Sequence, residues 1–143
     1  MKFYFLPYHI VKDKIQSVIE NNKEDFKENY GDVEVDYNHF ETLSALGMAH
    51  VAMAVKQDLV GFAGFIINHN ATDNGIEAEN VVFYIDKNHR GKLFKDLLDF
   101  SKKEFSKMGV NKMIATIKSD SLGRALRSNN FKKEFEIWGV DCE

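Results

Sequence analysis

Val82-Phe83-Tyr84-Ile85-Asp86-Lys87-Asn88-His89-Arg90-Gly91-Lys92-Leu93-Phe94-Lys95-Asp96-Leu97-Leu98 changes its pattern twice. The β-branched and aromatic run to Ile85 reads as the end of a strand that begins at Ile76. Asp86 to Gly91 is a polar loop. From residue 92 to about 108 the apolar residues Phe94, Leu97, Leu98, Phe105 and Met108 recur at helical spacing, with Gly109 as the expected C-cap. Upstream, Val51, Met53 and Val55 alternate, Lys56-Gln57-Asp58 makes a turn, and Leu59 to Ile67 returns as a second strand of a hairpin. Residues 70 to 75 are rich in turn formers, so three antiparallel strands precede the loop. Downstream, Met113, Ala115 and Ile117 alternate with Lys112, Ile114, Thr116 and Lys118. That strand must run parallel to residues 76 to 85, because a helix separates them.

The flanks complete the order. Met1 to Leu6 reads as a first strand, and Ile10, Val11, Ile15, Val18 and Ile19 mark an amphipathic helix ending near Asn21-Asn22. Lys23 to Asp36 is charged and suggests a short helix plus a loop. Asn38 is the expected cap of a further short helix carrying Phe40, Leu43 and Leu46 and stopped by Gly47. Near the end, Ser119 or Asp120 caps a helix with Leu122, Ala125 and Leu126, and residues 131 to 140 are expected to form a last strand. The result is an α/β (α+β) chain of order β-α-α-β-β-β-α-β-α-β, with a mixed, mainly antiparallel sheet flanked by helices.

With 143 residues, 44% hydrophobic and 12 Phe, the chain suits one domain spanning 1–143. Its longest apolar stretch, near residues 59 to 67, is far short of the ~20 residues of a membrane span. The lone Cys142 gives no intrachain disulfide and no cysteine metal cluster, which suits a reducing cytoplasm. His39, His50 and His69 show no metal-ligand spacing, so no metal is expected. A net charge of −3 with mixed signs gives no strong nucleic-acid or membrane attraction. Phe3, Tyr4 and Phe5 read as strand core rather than a base-stacking platform.

The element order and the stretch from Val82 to Leu98 resemble the GCN5-related N-acyltransferase (GNAT) superfamily, over essentially the whole chain. In that family an Arg/Gln-x-x-Gly-x-Gly/Ala loop and the following helix N-terminus hold the pyrophosphate of acetyl-coenzyme A with oriented N–H groups. The resemblance implies this role for Arg90, Gly91 and Lys92, with Leu93, Phe94 and Lys95 completing the loop and helix start. The family's glycine or alanine places fall on Leu93 and Lys95. The resemblance also implies that backbone groups of Phe83, Tyr84 and Ile85 face the thioester.

Acetyl transfer to nitrogen needs a neutral amine, a donor for the carbonyl oxygen that becomes anionic, and a proton for the departing thiolate. Counting back six residues from Ile85 reaches Glu79, the place of the base in the family's histone acetyltransferases, with Glu77 on the same strand face. His89 is a second candidate, since it titrates near neutrality and lies in the loop. The family's general-acid tyrosine falls on Leu126 within the stretch Ser119 to Phe131, which leaves a water, Tyr84 or Ser121 for that task. The implied activity is acetyl-coenzyme A dependent transfer to a small amine, a protein lysine or N-terminus, or an amino-nucleotide. The alternative is a GNAT-fold protein that has lost transfer and serves as a partner-binding or structural module, similar to small phage-encoded members of the superfamily. An edge strand near the C-terminus would suit a homodimer.

Overall fold

Alternating apolar residues build the sheet. In this computed structural model, which describes residues 1–30, 34–69, 75–116, 120–134 and 138–142, five strands lie side by side in chain order. They are β1 (Lys2–Pro7), β2 (Ala49–Lys56), β3 (Asp58–His69), β4 (Ile76–Ile85) and β5 (Lys112–Ala115). The first four pair antiparallel, and β5 runs parallel to β4. Val51, Ala52, Met53 and Ala54 are all buried, because β2 is covered on both faces and has no wet side to alternate with.

One cover consists of α1 (Tyr8–Asn21), α2 (Lys23–Tyr30) and α3 (Tyr37–Ala45). Ile15, Ile19 and Phe26 pack there on Ala49, Val51, Met53 and Phe62. The other cover is α4 (Lys92–Lys107) and α5 (Asp120–Ser128), whose Leu93, Leu97, Leu98, Phe105, Leu122 and Leu126 pack on Ala52, Ala63, Phe65 and Phe83. Of the predicted α4 stripe, Leu97, Leu98 and Phe105 are buried and Phe94 is half-buried, while Met108 past the helix end is exposed and Leu93, one position before Phe94, joins the core instead.

Three helices, rather than a pair, precede β2. Asp36 caps α3 in place of the expected Asn38, its carboxylate accepting the His39 N–H at 3.0 Å. The cap therefore sits two residues earlier, and Asn38 lies in the first turn. Gly47 at φ +76 and Gly109 at φ +80 follow their helices in the left-handed conformation expected of such stops. Ser119, Ile117 and Phe135 to Ile137 lie outside the described residues. The described flanks of the expected last strand, 131–134 and 138–140, form no strand, and Trp138 and Val140 stay exposed with no sheet face to cover them.

A bulge divides β4. Gly64 of β3 pairs with Val82 and its neighbour Phe65 with Asn80, so Val81 is the extra residue. Ala78 faces α4 before the bulge and Phe83 faces it after, so the bulge shifts the alternation by one. Asn80 stitches it, its Nδ2 donating to Gly64 O at 3.1 Å and Val82 O at 3.0 Å. A Cβ on Gly64 would lie 2.8 Å from Val82 Cγ1. Gly64→Ala is therefore expected to lower stability by about 1–3 kcal/mol in a denaturant titration, since the bulge must shift to admit it.

Candidate active site

The candidate site lies where the described pairing of β4 with β5 ends. Their last rung is Asn80 opposite Ala115, while β4 continues to Ile85. Beyond that rung, nothing among the described strands pairs with the outer edge of β4. Phe83 N–H points away from β3 and donates to Tyr30 Oη at 2.7 Å. Tyr30 ends α2, and its hydroxyl hydrogen has no acceptor among the described residues. Burial raises the Tyr30 hydroxyl well above the ordinary phenol pKa, while the Phe83 N–H pulls weakly the other way, so the proton stays on. Asn80 Oδ1, buried at the rung where the strands part, also lacks a partner among the described residues.

The loop that follows is held at both ends. Asp86 N–H donates to Val60 O at 2.8 Å, and the Asp86 carboxylate accepts the Asn88 N–H at 2.9 Å and lies 3.3 Å from His89 Nδ1. These contacts, the Asn88 N–H first, hold the Asp86 carboxyl below its usual range. A lowered folded-state pKa contributes stability above the unfolded value and loses it as pH falls through the folded one. The melting-temperature gap between the protein and Asp86→Ala is thus expected at neutral pH and should narrow below about pH 4.

Gly91 is the N-cap of α4 at φ +100 and ψ −111, and no side chain caps the helix. Nothing lies within 4 Å of where a Cβ would stand, and of the first-turn N–H groups Phe94 N–H reaches back to Gly91 O at 3.2 Å. Gly91→Ala is expected to cost about 1–3 kcal/mol through backbone conformation alone, read by thermal melting. Arg90 and Lys92 are exposed at this mouth. Leu93 is buried and reaches toward Gly61, so its side chain points into the core and not at the loop opening. Lys95 Nζ is 2.6 Å from Asp99 Oδ2, which draws its charge along the helix and away from the mouth. Phe94 packs on Phe83 at 5.0 Å between ring centroids and fixes the helix start against the strand end.

The remaining candidates are spread out. Glu79 is half-buried on the face of β4 away from α4, and its Oε2 accepts from Asn68 Nδ2 at 3.2 Å. At about 3.3 Å per residue, Glu79 and the loop bearing His89 stand at opposite ends of the free strand segment. Tyr84 faces the helical cover and stacks on Phe26 at 5.9 Å, with its hydroxyl raised in pKa first by burial and then by Asp86 and Asp25. Ser121 is exposed on α5, and Leu126 is a core residue. Tyr30 escaped the sequence reading, since nothing local in α2 marks a hydroxyl that meets Phe83 across 53 residues.

A bulged strand that runs on beyond its last rung with β5, followed directly by a helix N-terminus that no side chain caps, frames the candidate site. The overall fold superposes on solved acetyltransferases. A soil-metagenome aminoglycoside acetyltransferase in complex with sisomicin superposes at a TM-score of 0.75 with 16% identity, covering 99% of this chain and 96% of that one. The ribosomal-protein-alanine N-acetyltransferase of Brucella melitensis gives 0.72, 16%, 99% and 100% for the same measures. A predicted acetyltransferase of Clostridium acetobutylicum, solved with acetyl-CoA, gives 0.76, 12%, 98% and 95%. The fold is that of the GNAT acetyltransferases. No protein-family model matches the sequence, and no curated protein matches it by sequence. Among the described residues no helix is long and apolar enough to cross a membrane, and no cluster of His, Cys, Asp and Glu could hold a metal ion.

Proposed function

We propose that this chain is a GNAT-superfamily N-acyltransferase that uses acetyl-coenzyme A to acetylate an amine. The observation that carries the reading is the Phe83 N–H turned into the split between β4 and β5, one loop away from the uncapped start of α4. When bound, the cofactor supplies an acetyl thioester whose C–S bond breaks as the acceptor nitrogen forms the new C–N bond, the sulfur keeping the electron pair.

The residues present suit such a ligand. The first-turn N–H groups of α4, with Arg90, Gly91 and Lys92, are the anion site for the pyrophosphate, and Leu93 and Phe94 contribute backbone there. The outer edge of β4 from Phe83 to Ile85 offers backbone groups to the extended arm. Asn80 Oδ1 is a buried acceptor left unmet among the described residues. Tyr30, polarised by the N–H it accepts, turns its hydroxyl hydrogen toward the carbonyl oxygen on which charge grows. Glu79 takes the proton shed by the acceptor nitrogen, through a water, since it lies four residues along the strand from Phe83. His89 is the alternative proton acceptor at the loop end.

Calorimetry with acetyl-coenzyme A tests this. Micromolar-range binding that weakens with salt is expected, and Arg90→Glu should remove most of it. A second reading keeps the fold without transfer, and the buried Leu126 at the family's tyrosine place favours it. Absence of any melting shift with millimolar acetyl-coenzyme A or coenzyme A would establish that reading instead.

A further inference from the structure

Between the helical cover and the sheet lies a cavity of ≈ 230 Å³, floored by Phe62, Val81 and Val82 and walled by Ile15, Ile19 and Phe26. Tyr30 also lines it, so the residue whose hydroxyl meets Phe83 N–H in the split forms part of this wall. Val82 is the neighbour of Phe83. The cavity therefore adjoins the place where the reading above puts the reacting carbonyl.

Its chemistry is one-sided. The deep residues Ile15, Ile19, Phe26 and Phe62 are buried and apolar. The charged groups among the described lining are the exposed carboxylates Glu34 and Asp36, and neither Lys nor Arg lines it. Polar groups at the mouth are largely engaged: Asp36 caps α3, and Tyr37 Oη donates to Glu20 at 2.8 Å. Such a cavity rejects phosphates and carboxylates by charge. It rejects sugars because their hydroxyls would find few partners. A dry apolar cavity of about 150 Å³ admits benzene, so this one has room for one ring and a short chain.

We propose, resting on the transferase reading, that the acceptor is an apolar primary amine: one ring or a branched alkyl body on a short arm, held in this cavity with Glu34 and Asp36 drawing in the cation. The probe is 2-phenylethylamine, titrated calorimetrically without cofactor, with 2-phenylethanol and glucosamine as comparisons. The amine is expected to saturate, the alcohol to bind several-fold more weakly, and glucosamine not to bind. Glu34→Gln, a mouth variant that leaves the core untouched, should weaken the amine a few-fold without changing acetyl-coenzyme A affinity. Ala49→Leu, which fills the lining, should abolish amine binding while cofactor binding persists.

If acetyl-coenzyme A binds and 2-phenylethylamine does not, or glucosamine binds as well, the acceptor assignment is overturned and the transferase reading stands. If the amine binds and loses affinity in both variants while acetyl-coenzyme A never binds, the cavity assignment holds as a ligand site and the transferase reading falls.

Discussion

Tyr30→Phe is expected to lower kcat by about 10²- to 10³-fold while leaving the dissociation constant of acetyl-coenzyme A nearly unchanged. The ring remains and so does the wall it forms, but the hydroxyl that accepts Phe83 N–H at 2.7 Å is gone. With the hydroxyl removed, the transition-state charge loses the donor this reading assigns to it. Stability should fall by about 1–3 kcal/mol, because a buried N–H is left without its partner. The opposite outcome has a definite meaning. Tighter cofactor binding and faster turnover in Tyr30→Phe would make the tyrosine a plug over the amide rather than a donor beside it. Stopped-flow turnover and calorimetry on the same protein separate the two.

Glu79→Gln carries the second large effect, a fall in turnover of about 10²-fold at neutral pH with cofactor affinity unchanged. Gln keeps the acceptor oxygen that meets Asn68 Nδ2 at 3.2 Å, so the strand should not loosen, and the melting temperature is the control. A base acts only when ionised. The protein's rate should rise across the acid limb of its pH profile, and that limb should flatten in the variant. Unchanged turnover with an unchanged profile would leave Glu79 as a strand residue tied to Asn68 and turn attention to His89.

What could be read in advance follows the range of the forces involved. The α4 stripe, the bounds of β4 and the parallel β5 were legible because each rests on periodicity within one segment, or on the rule that a helix between strands makes them parallel. The break from strand to helix between Asp86 and Gly91 was legible for the same reason. The α3 cap was harder, since Asp36 and Asn38 are equally good caps by type and only backbone geometry at Tyr37 decides between them. The bulge at Val81 gives no local sign, because an unbroken apolar run hides a one-residue shift of face. Leu93 and Lys95 stand where the resembled family carries glycine or alanine. Gly61 opens a space for the first, and Asp99 pairs with the second, and neither partner is visible from the motif itself. Tyr30 and the cavity are products of tertiary assembly alone.

The bond between Phe83 N–H and Tyr30 Oη has one more consequence. Apart from Ile76, whose N–H donates to the Asn111 side chain at 2.8 Å, the other protected amides of β4 owe their shielding to a neighbouring strand, so they exchange with deuterium only when the sheet itself opens. The Phe83 amide is shielded by α2 alone. Its exchange rate therefore measures how often that helix lifts while the rest of the molecule stays folded, and it should run far ahead of the rate for Ala63 on the adjacent strand. A single resonance thus serves as a clock for the breathing of the helical cover.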